Sequence, residues 1–202
     1  TLQGDYYDGW MGANLNVHSL NPPGLFARSF RSKTEGGNVL GRWTHEFPAG
    51  SELRVQASYD RTDRDYGIAR ELRDTVDINA QHRFHLGERQ EIVWGAGYRY
   101  SLDDINETAD FQMSDPSVGL QLASAFVQDA VTLAPDRLHL TLGTKVEHND
   151  FTGFEVQPSA RIAWTPQERH TLWGAVSRAV RTPARVERSV AGYADLGPLL
   201  PP

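Results

Sequence analysis

Residues 138–147, LHLTLGTKVE, alternate without a break. Leu138, Leu140, Leu142, Thr144 and Val146 fall on one face of an extended chain, and His139, Thr141, Gly143, Lys145 and Glu147 on the other, because strand side chains alternate with period two. With residues 119–133 and a tight turn at Ala134-Pro135-Asp136-Arg137, they form a long hairpin over 119–149. Globular strands usually stop after about five or six residues. A longer strand with one apolar and one polar face suits the wall of a transmembrane barrel, where the apolar side meets lipid and the polar side lines the lumen.

The same unit recurs along the chain. Residues 1–10 are a candidate first strand. Residues 11–36 read as a long loop, since Asn21-Pro22-Pro23-Gly24 cannot continue a strand: proline lacks an N–H and fixes φ. Residues 38–47 place Val39, Trp43 and Phe47 opposite Arg42, Thr44 and Glu46. Residues 52–61 set Leu53, Val55, Ala57 and Tyr59 against Glu52, Arg54, Gln56 and Ser58. Residues 72–86, 91–101, 155–165 and 169–181 follow suit. In residues 120–133, Phe126 and Gln128 share one face and Val127, Asp129 and Val131 the other, so neither is cleanly apolar and the lipid side stays unassigned. A bulge would re-aim part of that strand.

Short turns are expected near 48, 87, 135 and 167, and longer links at 11–36, 62–70, 102–118, 149–154 and from 182 onward. Outer-membrane barrels alternate short periplasmic turns with longer extracellular loops. Trp43, Phe47, Phe84, Trp94, Trp164 and Trp173 fall near the turn-side strand ends, where aromatic residues anchor at a lipid–water interface. The same residues would also serve as core aromatics of a soluble sandwich.

Composition excludes little. The chain of 202 residues has no cysteine and a formal charge of −6, which argues against a nucleic-acid partner. No run of 18 apolar residues exists for a transmembrane helix, but a barrel strand needs only every second residue apolar. The chain starts in strand-like Thr1-Leu2-Gln3-Gly4-Asp5-Tyr6 and ends in loop-like Leu199-Leu200-Pro201-Pro202, so it reads as a piece of a longer protein.

Chemistry-bearing patterns are sparse. His82 and His85 would share a helix face but point oppositely on a strand. Asp60, Asp63 and Asp65 lack the glycine and terminal glutamate of a calcium loop. No nucleophile elbow, Walker loop or dinucleotide fingerprint is present, so no catalytic, cofactor-binding or metal residue is named. The informative surface is the polar face, with Arg42, Arg54, Arg73, Asp77, Arg83, Arg99, Lys145, Glu147 and Arg161. Tyr6, Tyr7 and Trp10 read as rim aromatics, with ligand contact as the alternative.

Four segments in order, Phe126-Val127-Gln128-Asp129, Leu138 to Lys145, Gln157-Pro158-Ser159-Ala160-Arg161 and Ser177-Arg178-Ala179-Val180-Arg181-Thr182-Pro183, together resemble the barrel of TonB-dependent outer-membrane receptors. The resemblance covers most of 37–183. It implies an all-β, antiparallel, up-and-down transmembrane β-barrel of 22 strands, about nine of them here, with the plug, the TonB box and the closing C-terminal strand outside this chain. It implies no enzyme. The expected function is uptake of a scarce nutrient, most often a ferric siderophore, across the outer membrane of a Gram-negative bacterium. The expected partners are the lipid bilayer, TonB and the small-molecule ligand, with no nucleic acid. The family's shared motifs lie on strands and turns, so no ligand-binding residue carries over. A passive porin-like channel, or a soluble β-sheet binding protein or enzyme, remains the alternative.

Overall fold

The computed structural model describes residues 1–20, 23–67, 69–106 and 112–191. Nine strands form one antiparallel sheet in meander order. They are β1 (Leu2–Leu20), β2 (Pro23–Glu46), β3 (Glu52–Asp65), β4 (Arg70–Leu86), β5 (Gln90–Asn106), β7 (Ser117–Ala134), β8 (Leu138–Asn149), β9 (Gly153–Gln167) and β10 (His170–Ser177). A short β6 (Gln112–Met113) pairs instead with β11 (Val190–Ala191), which follows a one-turn helix α1 (Arg185–Ser189).

The register shows why this sequence makes a two-faced wall. One cross-strand row runs Trp43, Val55, Ala80, Ala96, Ala125, Val146 and Val156 over seven strands, all apolar. One position away along β2 and so on the other face, Arg42, Gln56, Asn79, Gly97, Ser124, Glu147 and Glu155 form a row of polar residues and one glycine. A one-residue slip of any strand would mix the rows, so every register is pinned by the alternation. All nine charged residues expected on the polar face lie there.

These rows also settle β7. Ala125 stands in the apolar row, so Ala123 and Val127 share its face and Phe126 and Gln128 face the polar side. Phe126 lies directly across from Gly95. A Cβ on Gly95 would sit 2.6 Å from that ring and 2.6 Å from the Ala80 carbonyl oxygen, so only glycine lets the ring lie flat on the sheet. A register shift between Thr132 and Ala134 is the bulge expected in this strand.

The apolar face has the height of a bilayer core. In β4 it runs Leu86, Phe84, His82, Ala80, Ile78 and Val76 before Asp74 ends it. At about 3.3 Å per residue and about 40° of tilt, these residues cover about 25 Å along the normal, the height of the lipid-facing band. At the turn end a girdle closes the band: Trp43 stacks on His45 at 5.6 Å, His45 meets Phe47 at 4.5 Å, and His82 lies 5.3 Å from Phe84 and 6.0 Å from Trp94. At the loop end Tyr6 and Tyr59 turn their hydroxyls to Glu35 (2.9 Å) and Asp74 (2.5 Å). Exposed ion pairs follow, Lys33 with Glu35 at 2.7 Å and Arg70 with Asp63 at 2.6 Å. Buried apolar residues are few among those described: Ala69, Ile105 and Met113, all at the loop end.

Four expectations are corrected. Residues 11–36 are not a loop among the described residues. β1 and β2 stay paired from Leu2↔Gly41 to Leu20↔Pro23, and Pro23 is tolerated because it opens its strand; Asn21 and Pro22 lie outside the described residues. The links at 62–70 and 102–118 are shorter, because β3 runs to Asp65 and β5 to Asn106. Glu107 and residues 192–202 also lie outside. The last strand ends at Ser177 and not at residue 181. Trp173 is not in the girdle: it pairs across from Ala163 on the side of Arg161 and Ser159, since the register shift between His170 and Leu172 puts Leu172 on the apolar face.

The turn-end links are tight. Gly50 and Gly87 adopt positive φ, as does Asp136, a backbone conformation that glycine and aspartate accept with least steric penalty.

Candidate functional site: the loop end of the polar face

Two structures stand on the polar face above the band. The first is a hollow of about 570 Å³. β1, β2 and β3 overshoot the band, and the register aligns Gly9, Thr34 and Arg64 in one row. Alternation then brings Tyr7, Phe30, Ser32, Thr34, Arg64 and Tyr66 around one space. Gly36 lies across from Tyr7, and a Cβ there would come 2.5 Å from the Tyr7 hydroxyl, so the glycine leaves room for the ring. Ser32 is buried and donates to the Asp65 carbonyl at 2.7 Å. Asp8 borders the hollow but turns its carboxylate to the other face, 3.8 Å from Lys33. The Tyr66 hydroxyl donates its proton to Glu71 at 3.2 Å, and Glu71 lies directly across from Arg64 in the register.

The second is a charged clasp. Asp103 is fully buried. Its Oδ2 receives Arg185 at 2.7 Å and Arg73 at 3.2 Å, and Arg73 also pairs with Glu71 at 2.5 Å. Arg185 is buried too, and donates further to the Asp103 and Asp115 carbonyls. Asp103 Oδ1 and Arg185 Nε have no partner. The clasp holds α1 and β11 over the strand ends. Ser114 donates its N–H to the Ser189 carbonyl at 2.9 Å, Val190 pairs with Met113, and Arg188 donates to the Phe151 carbonyl at 2.6 Å. Glu71 contacts both structures, so the hollow and the clasp share one chain of polar contacts.

Local rules shape each piece. The link 150–152 is an Asx turn: the Asn149 side-chain oxygen accepts from the N–H groups of Phe151 and Thr152, each at 2.9 Å. Asn149→Ala removes both and is expected to cost about 1–2 kcal/mol, read as faster hydrogen exchange at Phe151 and Thr152. α1 is capped by Glu187, which accepts from the Ala184 N–H at 2.8 Å and pairs with Arg181 at 2.5 Å.

The Arg181 hydrogen bond, then the Ala184 N–H, hold the Glu187 carboxyl below its usual range. A lowered folded-state pKa gives stability that is present above the ordinary glutamate pKa and is lost as pH falls through the lowered one. The 181–189 segment therefore stays docked at pH 5 and loosens only in stronger acid. Proteolysis across a pH series checks this, and Glu187→Gln should abolish the acid step.

The residues singled out in the sequence do not converge. His82 joins the girdle on the apolar face while His85 faces the other way, 3.4 Å from Glu91. Asp60 accepts from Thr62, Asp63 pairs with Arg70, and Asp65 accepts from the Gly67 N–H. Among the described residues no cluster suits a metal ion. Of the three N-terminal aromatics, Tyr6 shares the apolar face and Tyr7 lines the hollow, while Trp10 sits under Arg31 at 4.0 Å. Arg64 and Arg185 were missed. Nothing local marks them, since their significance comes from strands and loops distant in sequence.

Known proteins show the same architecture. The siderophore receptor PirA from Pseudomonas aeruginosa superposes with a TM-score of 0.61 over 91% of this chain, at 16% identity. A mutant of the ferric enterobactin receptor PfeA, also from Pseudomonas aeruginosa, gives 0.58 over 77%, at 21% identity. At such identities the likeness is one of fold. The chain spans 31% of the PirA chain and 26% of the PfeA chain. No curated protein matches it. The family model described as TonB dependent receptor-like, beta-barrel matches residues 1–202, and with its alternating wall and loop-end cluster the chain belongs to that family of outer-membrane receptors.

Proposed function

We propose that this chain is part of the barrel wall of a receptor that takes up a scarce nutrient, a ferric siderophore, across the outer membrane with energy delivered through TonB. The plug, the TonB box and the C-terminal strands then belong to the rest of the full-length protein. The observation that carries the reading is the built loop end: an aromatic hollow and a clasped segment stand together on the polar face, above a lipid-facing band about 25 Å tall. The two structural relatives named as siderophore receptors support the choice of nutrient.

The test is iron-limited growth of a strain carrying or lacking the full-length gene, with and without functional TonB. Siderophore-dependent growth that needs both supports the proposal. Outer-membrane protein with TonB-independent flux of small solutes would instead make it a passive channel.

A further inference from the structure

The girdle at the turn end of the lipid-facing band carries more than apolar rings. The register sets His45, Leu53, His82 and Trp94 in one row across β2, β3, β4 and β5. Phe47 bridges the two imidazoles, 4.5 Å from His45 and 6.2 Å from His82. His45 is exposed and His82 half-buried, so both reach the surface that meets the membrane. What sets them apart is the lack of a partner. On the polar face His85 lies 3.4 Å from Glu91, and His139 lies 3.4 Å from the Thr132 hydroxyl. Among the described residues nothing hydrogen-bonds to His45, to His82 or to the indoles of Trp43 and Trp94. A carboxylate on this face, Asp129, stands two strands from His82 and is engaged by Gln90 at 2.9 Å, so it leaves the imidazoles free. A neutral imidazole and an indole each carry one N–H donor. Hydrocarbon has no acceptor, and a donor left bare in it is costly. At the level of the girdle the acceptors are water and the phosphate and ester oxygens of the lipids. An ionised phosphate makes the stronger bond, and flanking aromatic rings hold the less polar part of a headgroup beside it.

We propose that His45 and His82, ringed by Trp43, Phe47, Phe84 and Trp94, form a seat for the phosphodiester headgroup of one glycerophospholipid in the turn-side leaflet. The strands that carry the two histidines lie about 10 Å apart, the reach of one headgroup from phosphate to ester. One imidazole donates to the phosphate and the other to an ester carbonyl, while the indoles close the sides. The seat rests on the lipid-facing band and is independent of the nutrient transported.

The test uses the full-length receptor purified in detergent and follows the tightest-held lipid by native mass spectrometry. The probes are dioleoylphosphatidylglycerol and dioleoylglycerol, which has the same chains without the phosphate. Heat-modifiable migration confirms folding of every variant. Wild type should retain the phospholipid and lose the diacylglycerol. His45→Phe combined with His82→Phe keeps two rings in the girdle and removes both donors. It should hold the phospholipid about tenfold or more weakly, the loss expected for hydrogen bonds to a charged acceptor. His85→Phe, on the polar face, should behave as wild type does. Equal retention of the phospholipid by wild type and the double variant overturns the proposal. So does equal retention of the two probes by wild type, which would mean that acyl chains alone are held.

Discussion

Asp103→Ala should free the segment from Arg185 to Ala191 and cost the loop end about 3–5 kcal/mol, the usual penalty for leaving one half of a buried ion pair alone. Two arginines converge on the Asp103 carboxylate, and one of them, Arg185, is itself buried. Removing the carboxylate strands that guanidinium among carbonyl groups. It cannot shed its charge, so it must move out to water and take α1 and β11 with it. The expected readout is new protease sensitivity between 181 and 191 and loss of exchange protection at Ser114, whose amide bonds to Ser189. The strand ladders should keep theirs. Asp103→Leu combined with Arg185→Leu should recover much of the loss, since a buried pair replaced by apolar groups of similar volume is often neutral. If the double variant is as loose as the single one, burial of unpaired charge is not the cause.

Ala80→Arg should cost about 2–4 kcal/mol, and Asn79→Arg close to nothing. Ala80 lies near the middle of the lipid-facing run from Leu86 to Val76, paired with Val55 and Ala96. An arginine there faces hydrocarbon, and the penalty at mid-depth is of that size in barrels. Asn79 is the neighbouring residue and points to the polar face, beside Asp77 and Gly97. Refolding yield of the full-length receptor into vesicles, scored by heat-modifiable migration, should separate two positions one residue apart. Equal behaviour of the two would mean that the faces are assigned wrongly.

The wall was legible in the sequence because each strand announces its faces within ten residues. Leu53 to Tyr59 and Leu138 to Val146 need no partner to be read. What escaped notice depends on a partner. β1 and β2 beyond residue 11 are rich in Asn, Gly and Ser, poor strand formers each, yet each is held by the other along a hairpin reaching Leu20 and Pro23. The face of β7 was ambiguous because its aromatic, Phe126, belongs to the polar side, where it covers Gly95 on the neighbouring strand. The acidic character of residues 103 and 104 was visible, but not that Asp103 would be met by an arginine 82 positions later. The hollow assembles from three strands whose contributing residues lie up to 59 positions apart, from Tyr7 to Tyr66, which no local pattern can display.

The lipid-facing band has a consequence for how this protein should be handled. Most domains carry their oil within, so their stability travels with them from buffer to buffer. Here the oil is worn outside and the matching half is the membrane. The folded state is then a joint property of a polypeptide and a layer of given thickness. A surfactant whose hydrophobic belt is thinner than the span from Leu86 to Val76 leaves a ring of apolar side chains wet, and a thicker one draws Tyr6 and Tyr59 below the headgroups. Chain length of the amphiphile, more than temperature or salt, is the variable to which such a wall is tuned.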